Sequence, residues 1–253
     1  MNTQSKPLVT IITVVLNGEK FIEDAIKSVM NQTYKNIEYI ILDGKSVDKT
    51  IDIIKKYEEF ITFFESNKDN GLYSAINKGI KISSGEFIKI LNSDDKLHPE
   101  AIEKNIDLFM KEDNLNHNFV VNSYLERIDL NGKRLAIWDN KGKIINGYEQ
   151  FLHPSWLVPK RIYEDNGLYN EEYKVSADYE YYLRLKSKKI NFRTIQIPLV
   201  SFRPGGISYG FKGMKEDLDI NLKYFNFIIS YWHYVKNVGF KTLKLIKDSI
   251  FQR

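Results

Sequence analysis

The chain has 253 residues, a net charge of +4 and no cysteine, with 43% hydrophobic and 28% charged residues. That composition can bury a substantial core and excludes disordered and fibrous classes, disulfide scaffolds, thiolate metal sites and cysteine nucleophiles. The slight basic excess leaves no footprint for nucleic acid, and the lack of cysteine suits a reducing, cytoplasmic setting. Met1 to Pro7 carries no apolar signal core, and no apolar run reaches the roughly 18 residues of a membrane span, so neither a leader nor a transmembrane helix is expected.

The first third alternates between two periodicities. Leu8 to Leu16 is an uncharged, β-branched run, the pattern of a strand buried on both faces of a parallel sheet. Asn17-Gly18 breaks it, and Glu19 to Gln32 places Phe21, Ile22, Ala25, Ile26, Val29 and Met30 at helical spacing. Ile37 to Leu42 predicts a second strand ending at Asp43-Gly44, and Asp48 reads as the N-cap of a helix from Lys49 to Glu59. Ile61 to Glu65 follows as a short strand, Leu72 to Ile82 as a helix, and Glu86 to Leu91 as a strand stopping at Asn92-Ser93-Asp94-Asp95. His98-Pro99-Glu100 is a helix start. Strand, helix, strand repeated in this way predicts an α/β fold with a doubly wound, mostly parallel sheet.

Beyond about residue 115 the pattern changes. Asn118 to Leu125 and Lys133 to Trp138 flank an Asn131-Gly132 hairpin turn. His153 to Val158 reads as a loop or short strand, Tyr173 to Lys189 as a helix, and Phe192 to Phe202 as extended chain ending at Arg203-Pro204-Gly205-Gly206. From Phe211 the chain is helical and increasingly basic. The expected organisation is one domain over residues 1–210, with a Rossmann-like nucleotide half to about 115 and an acceptor half to about 210. A helical tail spans 211–253.

Ligands of doubly wound sheets bind beyond the carboxyl ends of the strands. Thr13, Asn17, Asp43, Asp94 and Asp95 stand at such ends. Each alone is also an ordinary turn former or cap. Asp94 and Asp95 directly follow an apolar strand, and hard oxygen ligands without neighbouring histidine suit Mg2+ or Mn2+ shared with a substrate phosphate. Gly18 stands alone after the first strand, so dinucleotide and P-loop fingerprints are both absent, which excludes a dehydrogenase and a P-loop NTPase.

Four stretches resemble the family 2 glycosyltransferases of GT-A type: TIITVVLN (10–17), SVMNQTYKNIEYIILDGKSVDKT (28–50), NGLYSAINKGIKISSGEFIKILNSDD (70–95), and 153–185 with its closing SADYEYYLRL. The resemblance spans roughly residues 8 to 203. It implies an inverting transfer from a nucleotide-diphosphate sugar, a UDP-sugar first among them, to an acceptor hydroxyl in surface polysaccharide or glycan synthesis. Carried over residue by residue, Thr13 and Asp43 would hold the nucleoside, with Asn17, Asn77, Lys78, Asn92 and Ser93 along the nucleotide sugar. Asp94 would ligate the metal with Asp95 beside it, and Asp178 would be the catalytic base. His153 would lie near the acceptor or the diphosphate. Asn92 replaces the first acid of the family's Asp-x-Asp, Ala177 replaces an acid before the base, Ser74 an aspartate and Leu16 a tyrosine.

The residue types suit this chemistry, because in-line inversion needs a base opposite the leaving diphosphate, supplied by a different part of the chain. Asp178 also reads as a first-turn acid of its own helix, and both roles can coexist. His153 reads equally as a packed loop residue, Trp156 as a core residue or a sugar-stacking platform, and Arg203 as a solvated arginine or a loop ligand of the diphosphate.

From Tyr224 onward Lys236, Lys241, Lys244, Lys247 and Arg253 face a single acid, Asp248, among interleaved aromatic and aliphatic residues. Such a tail either lies on an anionic membrane surface, where it would meet a lipid-linked saccharide, or packs on the domain. Two other functions compete: a sugar-phosphate nucleotidylyltransferase, for which Asn17-Gly18-Glu19-Lys20 lacks the needed glycine- and arginine-rich loop, and a non-catalytic carbohydrate-binding relative.

Overall fold

A computed structural model describes residues 6–111, 118–139, 144–145, 148–149, 153–205 and 212–251. Expectations resting on Gly206, Phe211 and Arg253 lie outside those residues, as do side chains from Phe240 onward. The first half carries β1 (Val9–Val15), α1 (Ile22–Met30), β2 (Ile37–Asp43), α2 (Thr50–Lys55), β3 (Phe63–Ser66), α3 (Leu72–Ile82) and β4 (Phe87–Ile90). It continues through β5 (Lys96–Leu97) and α4 (Ala101–Lys111). The second half has β6 (Phe119–Ile128), β7 (Arg134–Trp138), β8 (Ile144–Ile145), β9 (Tyr148–Glu149), β10 (Val158–Pro159), α5 (Lys160–Asn166), α6 (Ala177–Ser187) and β11 (Asn191–Phe202). The helices α7 (Met214–Tyr224) and α8 (Phe227–Phe251) follow.

Five strands form the central sheet in the order β10-β4-β1-β2-β3, parallel except for the edge strand β10. The connection from β1 leads to β2 on one side, whereas α3 returns the chain to β4 on the other. The strand order therefore reverses between β1 and β4, and their carboxyl ends flank the crevice that a doubly wound sheet leaves for ligand. A second sheet, β5-β11-β6-β7, has β11 parallel to β6 and β7 antiparallel to it across the expected hairpin.

The uncharged β1 run is buried throughout because both its faces are covered. Val9, Ile11 and Val15 enter a core with α1, α4 and β6, while Ile12 and Val14 enter one with α3, α5 and α6. Gly79 lets α3 lie close on β1, since a Cβ there would come within 2.6 Å of Ile12 Cγ2.

Three expected boundaries move. The helix at 49–59 stops at Lys55 because the following amides bond three residues back, Tyr57 to Ile54 at 2.9 Å, and tighten the chain. Asp48 Oδ1 accepts from the Thr50 amide (3.0 Å), although the cap position itself is Lys49. The helix expected from Tyr173 starts at Ala177, because residues 173–176 are tied to α3 and α7. The helical tail consists of two helices, α7 and α8. The chain is extended at Phe225, and Asn226 caps α8 through Oδ1 and the Ile229 amide at 2.9 Å. Among the described residues no helix is long and apolar enough to cross a membrane.

Gly85 sits where β4 enters the sheet, and a Cβ there would meet the Thr10 amide nitrogen at 2.6 Å and the Leu8 carbonyl at 3.0 Å. Backbone cannot yield as a side chain does. Gly85→Ala is expected to lower stability in urea denaturation by about 1–3 kcal/mol, with the fold retained.

Candidate active site

The turn after β4 delivers its two acids to opposite surroundings. Asp95 is fully buried, with Oδ2 accepting from Asn92 Nδ2 (2.8 Å) and Oδ1 from the Arg203 amide (3.1 Å). Burial, then the charge of Asp94, pushes its carboxyl well above the usual range. Asp95 is thus turned inward as the anchor of the turn, away from the metal role expected beside Asp94. Asp94 is half-buried, and burial raises its pKa against its backbone hydrogen bond and Arg203. Ser93 lies against the loop after β1, its Oγ 3.6 Å from where a Gly18 Cβ would stand.

Arg203 does not sit in an open loop. Its side chain is 3% exposed, donating from Nη1 to the Asp94 carbonyl (2.6 Å) and from Nη2 to Asp24 on α1 (2.6 Å), and lying 4.4 Å over the Phe21 ring. It braces the turn from below, which replaces both the solvated arginine and the diphosphate ligand expected of it.

Asp43 ends β2 with its carboxylate nearly filled. Oδ2 accepts from the Ser46 amide (2.9 Å) and Ser66 Oγ (2.6 Å), and Oδ1 accepts from Ser46 Oγ. Of about four lone-pair sites on a carboxylate, three are occupied here. Asn17, held at φ 52°, joins the loops after β1 and β2, its amide donating to Ser46 Oγ (2.7 Å) and its Oδ1 accepting from the Val47 amide (2.9 Å). The Thr13 hydroxyl is buried against Tyr39 Oη (3.1 Å), inside the sheet rather than beyond its edge.

Asp178 comes from the other half of the chain. Tyr73, in the first turn of α3, donates to Asp178 Oδ1 (3.0 Å), with the Val175 carbonyl equally near (3.0 Å). Because α3 starts at the carboxyl end of the parallel strands, this bond sets Asp178 on the same edge as Asp43 and Asp94. Burial raises the Asp178 pKa, opposed by the Tyr73 hydroxyl and the Tyr179 amide. Glu216 adds a further upward push.

The remaining expected residues serve as braces. Asn77 is 3% exposed and clamps Tyr169, accepting from its amide (3.0 Å) and donating to its carbonyl (2.9 Å) and to Glu171 (2.9 Å), so it does not open toward a nucleotide sugar. Lys78 is paired with Glu65. His153 bonds through Nε2 to Tyr169 Oη (2.7 Å), and burial, aided by Lys89, holds its pKa down at about 3. It is the packed residue of the two alternatives. Trp156 is 2% exposed in an edge contact with His153, in the core rather than as an open platform.

Four participants gave no sequence signal strong enough to select. Tyr73 and Glu216 were hidden among helical residues, Ser66 in a strand end, and Lys89 in an apolar strand. Lys89 is fully buried, its Nζ donating to the carbonyls of Pro154 (2.7 Å) and Trp156 (3.1 Å), and burial pulls its pKa down to about 7.

The fold is a doubly wound α/β half with an acid brought to its strand ends by the second half of the chain. Residues 10–172 match the family described as Glycosyl transferase family 2, and the chain belongs to that family. An uncharacterized glycosyltransferase of Rickettsia typhi is 34% identical over 193 residues, which cover 72% of this chain and 59% of that protein. TuaG of Bacillus subtilis, described as a teichuronic acid biosynthesis glycosyltransferase, is 35% identical over 114 residues, 43% of this chain and 44% of its own. The chain thus spans less than two thirds of these relatives. The fold resembles that of S. aureus TarS residues 1–349 in complex with UDP-GlcNAc, with a TM-score of 0.68 and 18% identity, covering 84% of this chain and 64% of that one. Membership in family 2 removes the nucleotidylyltransferase reading.

The depressed His153 pKa makes stability fall in acid. The native ring stays neutral down to about pH 3 while an unfolded histidine takes a proton below about 6.5, so its contribution is present above 6.5 and is lost toward 3. Between pH 6.5 and 4.5 this amounts to about 2 kcal/mol. In His153→Gln the difference in unfolding free energy between those two pH values should shrink by that order, measured by urea denaturation at each.

Proposed function

We propose that this chain transfers a sugar from a UDP-sugar to an acceptor hydroxyl with inversion, in the synthesis of a bacterial surface polysaccharide or glycan. The observation that carries the reading is the Tyr73–Asp178 hydrogen bond, at 3.0 Å, which ties a buried acid of the second half of the chain to the strand-end edge of the first. Support for the donor comes from TarS, whose structure holds UDP-GlcNAc, and for the product class from TuaG.

In this mechanism Asp43 and the loops it pins receive the nucleoside. Asp94 is the accessible carboxylate of its turn and suits a hard divalent ion, Mn2+ or Mg2+. Among the described residues no group of three or more acids or histidines surrounds such a point. An ion there would therefore complete its shell with diphosphate oxygens and water, the habit of Mg2+ at phosphate sites. When bound, it would neutralise charge on the leaving diphosphate. Asp178 takes the acceptor hydroxyl proton as the new glycosidic bond forms, and the electron pair of the broken bond leaves with UDP. Burial that disfavours the Asp178 carboxylate makes it a stronger base.

Asp178→Asn is expected to lower UDP release from UDP-GlcNAc by about 10²–10⁴-fold while leaving the thermal shift caused by UDP with Mn2+ intact. Asp94→Asn should lose the Mn2+-dependent part of that shift. UDP binding without turnover in wild type and variant alike would identify a non-catalytic relative and overturn the reading.

The reading extends to a lipid-linked acceptor at an anionic membrane surface. Its support is α8, where Phe227, Ile228, Tyr231, Trp232 and Val235 are exposed while Ser230 and His233 are buried. At about 100° per residue the five exposed side chains share one arc of the helix, with Lys236 beside it over the Trp232 ring at 4.8 Å. An amphipathic face with flanking cations binds anionic interfaces. The full chain should float with phosphatidylglycerol vesicles and not with neutral ones. The double variant Ile228→Glu and Trp232→Glu should stay in the soluble fraction, and equal flotation of both proteins would dismiss the contact.

A further inference from the structure

Asp178 stands in the first turn of α6, a helix without a side-chain cap. Ser176 occupies the cap position without a capping bond, its hydroxyl lying 3.5 Å from the Gly213 carbonyl instead. The amides before the helix are taken by a distant acid. Glu216, in the first turn of α7, accepts from the Lys174 amide through Oε1 (2.9 Å) and from the Val175 and Ser176 amides through Oε2 (2.9 Å each). Three successive backbone donors converge on one carboxylate, an arrangement of charge-assisted bonds about twice as strong as neutral ones. The approach is close enough that a Cβ on Gly213 would come within 2.8 Å of Ser176 Oγ.

We propose that Glu216 is the positioning residue of Asp178: its carboxylate fixes residues 174–176 and thereby the direction in which the Asp178 side chain leaves α6. The inference rests on the reading of Asp178 as the base. The Val175 carbonyl, 3.0 Å from Tyr73 Oη, lies in the peptide segment that Glu216 holds. One carboxylate thus aligns both the helix start and the hydroxyl that orients Asp178. The groups acting on Asp178 are the Tyr73 hydroxyl from α3, the Tyr179 amide of its own helix, and Glu216 from α7, whose charge raises the Asp178 pKa. Tyr169, behind Tyr73, feels the Asp178 charge in turn.

The sign follows directly. A base works deprotonated, so activity declines as pH falls through its pKa. Removing the Glu216 charge lowers that pKa and moves the decline to lower pH, while the loosened helix start lowers the rate on the plateau. Two variants separate charge from reach. Glu216→Gln keeps the size and one carbonyl acceptor but not the charge, and Glu216→Asp keeps the charge on a shorter arm.

The readout is the Asp178 carboxyl titration, followed by NMR on the full chain with carboxyl-labelled aspartate and assigned by its disappearance in Asp178→Asn. Amide exchange at 174–176 is measured alongside. Glu216→Gln should lower the titration midpoint, and Glu216→Asp should leave it near wild type. Both should speed exchange at the three amides, and Glu216→Gln should lower UDP release from UDP-GlcNAc about tenfold. A Glu216→Gln protein with reduced thermal stability and an unmoved midpoint would make Glu216 a structural cap only and overturn the proposal. If Glu216→Gln does not fold, unchanged exchange at 174–176 in Glu216→Asp overturns it equally. Undiminished activity in Asp178→Asn would instead refute the base, whatever the Glu216 variants do.

Discussion

Helix α3 holds the two halves of the molecule in register, and the candidate site exists only because it does. Its first turn gives Tyr73 to Asp178, and one turn later Asn77 clamps the Tyr169 main chain in both directions. Its other face packs on β1, where Gly79 lets it approach Ile12. A single helix is therefore fastened to the central sheet on one side and to the second half of the chain on the other. The inverting transfer proposed for the chain would need this, because its donor and base would act on opposite sides of one carbon, and an error of about 1 Å between them can cost a hundredfold in rate. The buried tyrosines behind it, with Tyr163 and Tyr169 hydroxyls 3.0 Å apart and the His153 ring on Tyr169, make that joint stiff.

The turn at 92–95 solves a different problem. A carboxylate that is to hold a metal, as proposed for Asp94, would have to stay accessible while its backbone stays fixed, and those needs conflict on a short loop. The chain divides them between neighbours. Asp95 is spent on anchorage, between the Asn92 side chain and the Arg203 amide, leaving Asp94 partly open. Arg203 then holds the Asp94 carbonyl and reaches Asp24, so its buried charge has a carboxylate partner. Burying a guanidinium without such a partner would be costly.

Much of this was legible in the sequence because the strands are. The alternation of uncharged β-branched runs with amphipathic segments fixes the parallel half, and the acids at strand ends follow from it. Asp43 and Asp94 stand at the edge where that logic puts them. The roles of polar residues within elements were not legible. Asn77 lies in a stretch that resembles a ligand-binding block, but its amide is consumed by Tyr169, 92 residues away. Periodicity carries no information about pairings at that separation. Arg203 precedes Pro-Gly, which reads as an open loop, yet burial and its partners on α1 and the 92–95 turn decide its place. The tail broke in two because Asn226 prefers to cap, a local preference that competed with a continuous apolar pattern.

The substitution of Asn92 for an acid is best understood through the same turn. An aspartate at 92 would set a third carboxylate beside Asp94 and the buried Asp95, whose ionisation is already opposed by burial and by Asp94. Two like charges at hydrogen-bond distance cannot both ionise without a counterion. Asparagine instead donates to Asp95 at 2.8 Å, converting a repulsion into a brace. The asparagine at 92 therefore helps fix the geometry of the turn that carries Asp94, and the turn holds its shape through its own hydrogen bonds.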